Sequence, residues 1–153
     1  MSHCTTRTAL LLGILVAADP AFAEPIVVMV DRDNPKTDIS RDELKSYYTG
    51  KRKEWPDGQR VVLLDLASAD RDAFDRAALG MSADEYDRYW VDQKVRGQGT
   101  PPKALAPESV VKLTAKVRGA IGYVRASQAD ASVKVLTVDG KAPGTVGYPL
   151  NTP

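Results

Sequence analysis

Tyr48-Thr49-Gly50-Lys51-Arg52-Lys53-Glu54-Trp55-Pro56-Asp57-Gly58 holds a helix end, a triple basic run, a tryptophan and a tight turn within eleven residues. Gly50 fits the position just past a helix, where a left-handed backbone needs a residue without Cβ. Pro56-Asp57-Gly58 fits a turn, with Pro56 presetting φ and Gly58 closing it. Lys51, Arg52 and Lys53 are thus held on a short loop between a helix and a strand beginning near Arg60. Two readings fit them. One is a solvated basic loop with Trp55 plugging a core edge, which has precedence residue by residue. The other is a rigid cationic rim beside a site.

Upstream, Ser40 and Glu43 form a capping box, and Ile39 and Leu44 staple across it. Leu44, Tyr47 and Tyr48 then share one helical face by i, i+3, i+4 spacing, a core-packing pattern. Before that helix, Ile26 to Val30 is a continuous apolar run, as in a strand covered on both faces. Downstream, Val61 to Leu66 reads as a second buried strand. Asp65 sits near its C-terminal end, where ligands gather in open α/β sheets; it serves equally as a cap for the next turn. Ser68 to Phe74 enters a helix that Leu79-Gly80 ends.

Met81-Ser82-Ala83-Asp84-Glu85-Tyr86 repeats the capping box and staple. Tyr86, Tyr89 and Trp90 share a face, read as packing against the sheet or, less simply, as an aromatic platform. Arg96-Gly97-Gln98-Gly99-Thr100-Pro101-Pro102-Lys103 lacks the pattern of a dinucleotide loop or P-loop. It reads as a linker between two helices, or as an anion nest of backbone N–H groups flanked by Arg96 and Lys103. Pro107 starts another helix, with Val110, Val111 and Leu113 on its apolar side. Ala120 to Val124 is a short strand in which Gly122 signals close backbone approach. Val133 to Val138 is a last strand, followed by an extended tail. Strands alternating with helices predict an α/β sheet with helices on both faces, a three-layer α/β sandwich.

Three segments carry a family resemblance. Gly50-Lys51 with Trp55 resembles an F-x-G-K-x-x-x-W signature. Arg118-Gly119-Ala120-Ile121-Gly122-Tyr123-Val124 resembles a G-A-I-G-Y-V segment, and Tyr148-Pro149-Leu150 a following Y-P-L. Their order and reach are similar to the phosphate-type (PstS-like, type 2) periplasmic substrate-binding proteins. The resemblance implies the fold of one lobe of such a protein and an exported, substrate-binding-like role linked to ABC-type transport. It also implies a small oxyanion ligand. In that family a glycine- and hydroxyl-rich R-S-D-G-S-G-T-T loop holds the oxyanion at a helix N-terminus. This chain has Leu66-Ala67-Ser68-Ala69-Asp70-Arg71-Asp72 there, and Asp70 and Asp72 oppose an anion. The expected ligand-binding residues are Lys51, Arg52, Ser68, Arg71, Gly97, Gly99 and Thr100. Family members close two lobes around a solute, so one lobe presents half a cleft. A second wall would come from an envelope protein partner. The competing reading is therefore an envelope interaction module without tight solute binding.

The first residues read as targeting. Arg7 precedes the apolar run Ala9 to Ala18, and Ala21-Phe22-Ala23 is an A-x-A cleavage site before Glu24. The run is too short to span a bilayer. Residues 1–23 are expected to be a cleaved signal peptide, giving a periplasmic protein with no membrane anchor after cleavage. Residues 24–153, about 130 in all, suffice for one domain with a core and a C-terminal tail. The only cysteine and only histidine, Cys4 and His3, fall in the signal. No cofactor, no Cys/His metal site and no thiol or imidazole catalyst is expected from the remainder. A net charge of +1 argues against general nucleic-acid binding. A hydrolase pairing Asp65 with Asp70 or Glu54 ranks last, because no nucleophile and base are legible.

Overall fold

The computed structural model describes residues 24–152. The segment read as a signal, with Cys4 and Ala21-Phe22-Ala23, lies outside the described residues. No helix among the described residues is long and apolar enough to cross a membrane.

The main sheet has five strands: β1 (Ile26–Val30), β3 (Val62–Leu66), β4 (Lys103–Leu105), β5 (Ala120–Arg125) and β6 (Lys134–Val135). Their spatial order is β4-β3-β5-β1-β6. β3 runs parallel to β4 and to β5, whereas β1 is antiparallel to β5 and β6. β1 is buried along its whole length, as its unbroken apolar run predicts. A second sheet pairs β2 (Asp38–Ile39) in parallel with β7 (Thr137–Val138).

Four α-helices cover the main sheet: α1 (Arg41–Tyr48), α2 (Asp70–Phe74), α3 (Ala83–Val95) and α4 (Pro107–Lys116). A π-helical turn, Asp75–Leu79, extends α2. Alternation along β5 shows the layers. A Cβ on Gly122 would lie 2.6 Å from Val110 Cγ1 and 3.1 Å from Thr114 Oγ1, so α4 packs on that face. Tyr123 points the other way and stacks on Phe74 of α2 at 3.6 Å, with Tyr48 of α1 edge-on at 6.0 Å. The expected three-layer α/β sandwich, with helices on both faces, is thus present.

Local signals translate directly. Ser40 and Ser82 both make the capping boxes read from the sequence. Gly50 follows the Thr49 cap with φ 73°. Trp55 is buried, and its Nε1 donates to Gly119 O at 3.0 Å.

Several boundaries differ. β3 begins at Val62, and its first residues stay half-covered because β4 pairs only with Leu64–Leu66. The expected linker from Arg96 to Lys103 ends in edge strand β4, whose three residues are too few for periodicity to reveal. The last strand is broken. Buried Leu136 bonds Val28 O between β6 and β7, and the chain changes sheet there. The tail first turns and only then runs beside the start of β1, where Ile26 N donates to Leu150 O and Tyr148 Oη donates to Ile26 O. The aromatic face of α3 meets the end of α1 and not the sheet. Tyr86 and Tyr89 hydroxyls donate to the Tyr48 and Thr49 carbonyls, each at 2.6 Å. Tyr48 is the last residue of α1 and Thr49 its cap, so neither carbonyl has an N–H donor within the helix.

Candidate functional site

The residues expected to form one ligand site fall at two ends of β3. Ser68 and Arg71 follow its C-terminal end. Arg52, Gly99 and Thr100 line a mouth beside its N-terminal end, with Lys51 and Gly97 flanking. Five strand residues separate the two places by roughly 15 Å.

At the C-terminal end the side chains are already paired. Asp65 is buried, with Oδ1 accepting from the Tyr123 hydroxyl at 2.5 Å and from Leu66 N at 2.9 Å. Burial, reinforced by Asp65, pushes the Tyr123 phenol far up, so it keeps its proton and donates. Arg71 Nε lies 2.9 Å from Asp65 Oδ2, close enough for an ion pair but out of line for a hydrogen bond. The same nitrogen is 3.7 Å from Asp75 Oδ2, and Nη2 is 2.5 Å from Asp87 Oδ1. The guanidinium also lies over the Tyr86 ring at 5.6 Å. Arg71, expected to meet a ligand, faces three carboxylates of this chain in the structure.

The helix start beside it is equally closed. Asp70 takes two bonds from Arg125, at 2.9 and 2.7 Å. Ser68 Oγ accepts from Asp70 N at 3.3 Å. Asp72 caps Ala83 N at 2.9 Å and pairs with Arg76 at 2.7 Å, which together hold its carboxyl below the usual range. The acidic residues that oppose an anion in the sequence are thus neutralised, but by this chain's own arginines. Asp65 and Asp70, one of the pairs weighed for a hydrolase, are each held by an arginine.

Asp75 is the exception. It is 1% exposed, and neither carboxyl oxygen has a hydrogen-bond partner among the described residues. Burial first, then Asp65, push its carboxyl up to about 7, with Arg71 opposing the rise. The folded protein keeps this proton between its ordinary value of about 3.8 and about 7, whereas the unfolded chain releases it. Stability contributed by this group therefore falls as pH rises through that window and is level above it. Asp75→Asn is expected to remove that slope and to gain stability at neutral pH. Urea midpoints of both proteins from about pH 4 to about pH 8 check this; parallel curves would refute it.

The N-terminal end of β3 is the opposite. The Lys51–Lys53 run is part of a small hairpin, since Val61 N donates to Lys53 O at 2.9 Å and Glu54 bridges Arg60. Trp55 N and Gln59 O close it at 2.8 Å. Lys53, Arg60 and Lys103 line the mouth and form no ion pair among the described residues. Arg52 is shared with Glu43 at 3.3 Å and with the Tyr47 ring at 5.5 Å. Gly97 is left-handed at φ 69°, just past the Arg96 cap of α3. Gly99, at φ 145°, rests against the Trp90 ring. Arg60 was not among the expected site residues. It pairs with Glu54 across the hairpin, next to Lys53, a neighbour relation that linear spacing does not carry. Asp87 and Arg125 were equally silent, although Arg71 and Asp75 are a legible i, i+4 pair.

No family model matches the sequence, and no curated protein matches it. Solved structures do match in fold. An ABC-type phosphate transport receptor from Vibrio cholerae aligns over 80% of this chain and 49% of its own, at 18% identity and a TM-score of 0.64. A phosphate ABC transporter substrate-binding protein from Clostridium perfringens, solved with bound phosphate, aligns over 80% and 48%, at 24% identity and 0.63. PstS from Borrelia burgdorferi aligns over 84% and 55%, at 13% identity and 0.65. This chain spans about half the length of these structures. The described residues have a single-lobe PstS-like fold.

Proposed function

We propose that this protein is an exported substrate-binding-type module, linked to ABC-type transport, that takes a small oxyanion weakly at the basic mouth beside β3. One observation carries this reading. Lys53, Arg60 and Lys103 converge on that mouth without an ion pair among the described residues, whereas the Ser68–Asp72 turn is acidic and internally paired. Arg52, Gly99 and Thr100 belong to the mouth, with Lys51 and Gly97 at its flanks. Ser68 and Arg71 are assigned to holding the helix start. Export to the periplasm rests on the targeting pattern of residues 1–23.

Exposed lysines and arginines attract an anion mainly through screened charge. Calorimetry on residues 24–153 is expected to give a dissociation constant for phosphate no tighter than roughly 10 μM, about −7 kcal/mol. Sulfate should bind similarly, and both should weaken between low and physiological salt. Tight, phosphate-selective binding that ignores salt would overturn the reading.

A second reading, an envelope interaction module, draws on α3. Val91 and Val95, one turn apart, are 64% and 82% exposed. An anion site should gain thermal stability with phosphate, whereas an interaction module should gain it only with its protein partner.

A further inference from the structure

The basic mouth has a floor that a bare oxyanion cannot use. Its volume is about 390 Å³. The six-membered ring of Trp90 packs close to two glycines. A Cβ at Gly50 would be 3.1 Å from Trp90 Cη2, and one at Gly99 would be 3.6 Å from Cζ3. Val61, Leu63, Pro101 and Pro102 continue the lining.

Along Val61–Val62 and Pro101-Pro102 the backbone has no donor to offer. Proline has no N–H. Val61 N is bonded to Lys53 O, and Val62 N to Gly119 O. The polar partners left for a ligand are chiefly the side-chain cations of the rim, with the Gln98 and Thr100 side chains beside them. An inorganic ion would therefore stay hydrated among them, with the apolar floor beneath it uncovered. Rim charge and apolar floor fit one ligand that carries both features.

Resting on the reading of this mouth as the anion site, we infer that it accepts an organic anion. Its charged group would sit at Lys53, Arg60 and Lys103, and a flat apolar body would lie against Pro101-Pro102 and beside the largely buried Trp90. An aromatic ring has the right shape, because it stacks on indole and proline faces and buries area that inorganic phosphate lacks. The ligand class is a ring bearing a phosphate or carboxylate.

The test compares phenyl phosphate and benzoate with inorganic phosphate and neutral benzyl alcohol, by calorimetry at low and physiological salt. Phenyl phosphate is expected to bind about tenfold tighter than inorganic phosphate and to lose less affinity with salt. Benzyl alcohol should bind weakest. In two-dimensional NMR of the wild-type protein, phenyl phosphate should shift the indole N–H signal of Trp90 and leave that of Trp55. The double variant Arg60→Glu/Lys103→Glu should lose about tenfold in phenyl phosphate affinity, with an unchanged melting temperature. Equal affinity for phenyl phosphate and inorganic phosphate would overturn the inference while leaving the oxyanion reading intact. Binding of phenyl phosphate but not inorganic phosphate would sustain the inference and defeat that reading. A ring-dependent affinity without movement of the Trp90 signal would place the ligand elsewhere and overturn the inference.

Discussion

Arg71→Met is expected to destabilise the fold by about 3–5 kcal/mol, the range for removing one partner of a buried charge cluster. The guanidinium stands between Asp65 and Asp75, at 3% and 1% side-chain exposure, and reaches the exposed Asp87 at the surface. Methionine keeps much of the apolar stem but leaves the buried Asp65 and Asp75 carboxyls without the cation that stands between them. The loss should be larger at about pH 7 than at about pH 4.5. Without Arg71 the Asp75 carboxyl loses the charge that opposes its rise, so acid, which protonates it, relieves the repulsion from Asp65. Asp65→Asn in the Arg71→Met background should recover part of the loss by removing one uncompensated charge. Urea denaturation at the two pH values measures all of this. An unchanged midpoint in Arg71→Met would show that the arginine does not hold this end of the sheet together.

Trp55→Ala is expected to cost about 3–5 kcal/mol, as for other buried tryptophans and phenylalanines. Trp55 is 4% exposed, packs on Tyr47 at 4.9 Å and donates from Nε1 to Gly119 O. Gly119 is itself tightly placed. It has φ 81°, and a Cβ there would lie 2.4 Å from Arg60 O. Its N–H bonds Asp31 Oδ2 at 3.1 Å, and its carbonyl also accepts from Val62 N. The indole thus ties the basic hairpin to the start of β5. Trp55→Phe should cost less, because the ring area is largely kept and Val62 N still satisfies the carbonyl. Lys51→Ala and Lys53→Ala, at exposed positions, should stay within about ±0.5 kcal/mol. Chemical denaturation of the four variants decides it. A Trp55→Ala midpoint equal to that of the lysine variants would mean that the hairpin is held without its tryptophan.

Both predictions concern residues that the sequence singled out, but for different reasons. Trp55 was legible as a core plug because a large apolar side chain beside a tight turn has few other uses. Arg71 was legible only as a cation next to a helix start. Its Asp75 partner is four residues on, whereas Asp87 is sixteen residues away on another helix. The latter contact exists because α3 packs beside the π-helical extension of α2. The residue expected to bind an anion thus has internal counter-ions that linear reading of a charge does not reveal.

The sequence by itself determined what is encoded locally. The capping boxes at Ser40 and Ser82, the left-handed Gly50, the turn at Pro56-Asp57-Gly58 and the buried run of β1 all follow from interactions within a few residues. Gly122 announced the close approach of another element without saying which. These signals sufficed for the α/β class, the three layers and the likeness to one lobe of a binding protein. The tertiary structure alone decided the strand order, the antiparallel setting of β1, the short strands β4 and β2, and the change of sheet at Leu136. It also decided that Lys53, Arg60 and Lys103 meet at one mouth while Asp65, Asp70 and Asp75 find arginines at the other end. The physical reason is range. Caps, turns and periodicity act across three or four residues, whereas strand pairing and charge neutralisation join residues that only the folded chain brings together.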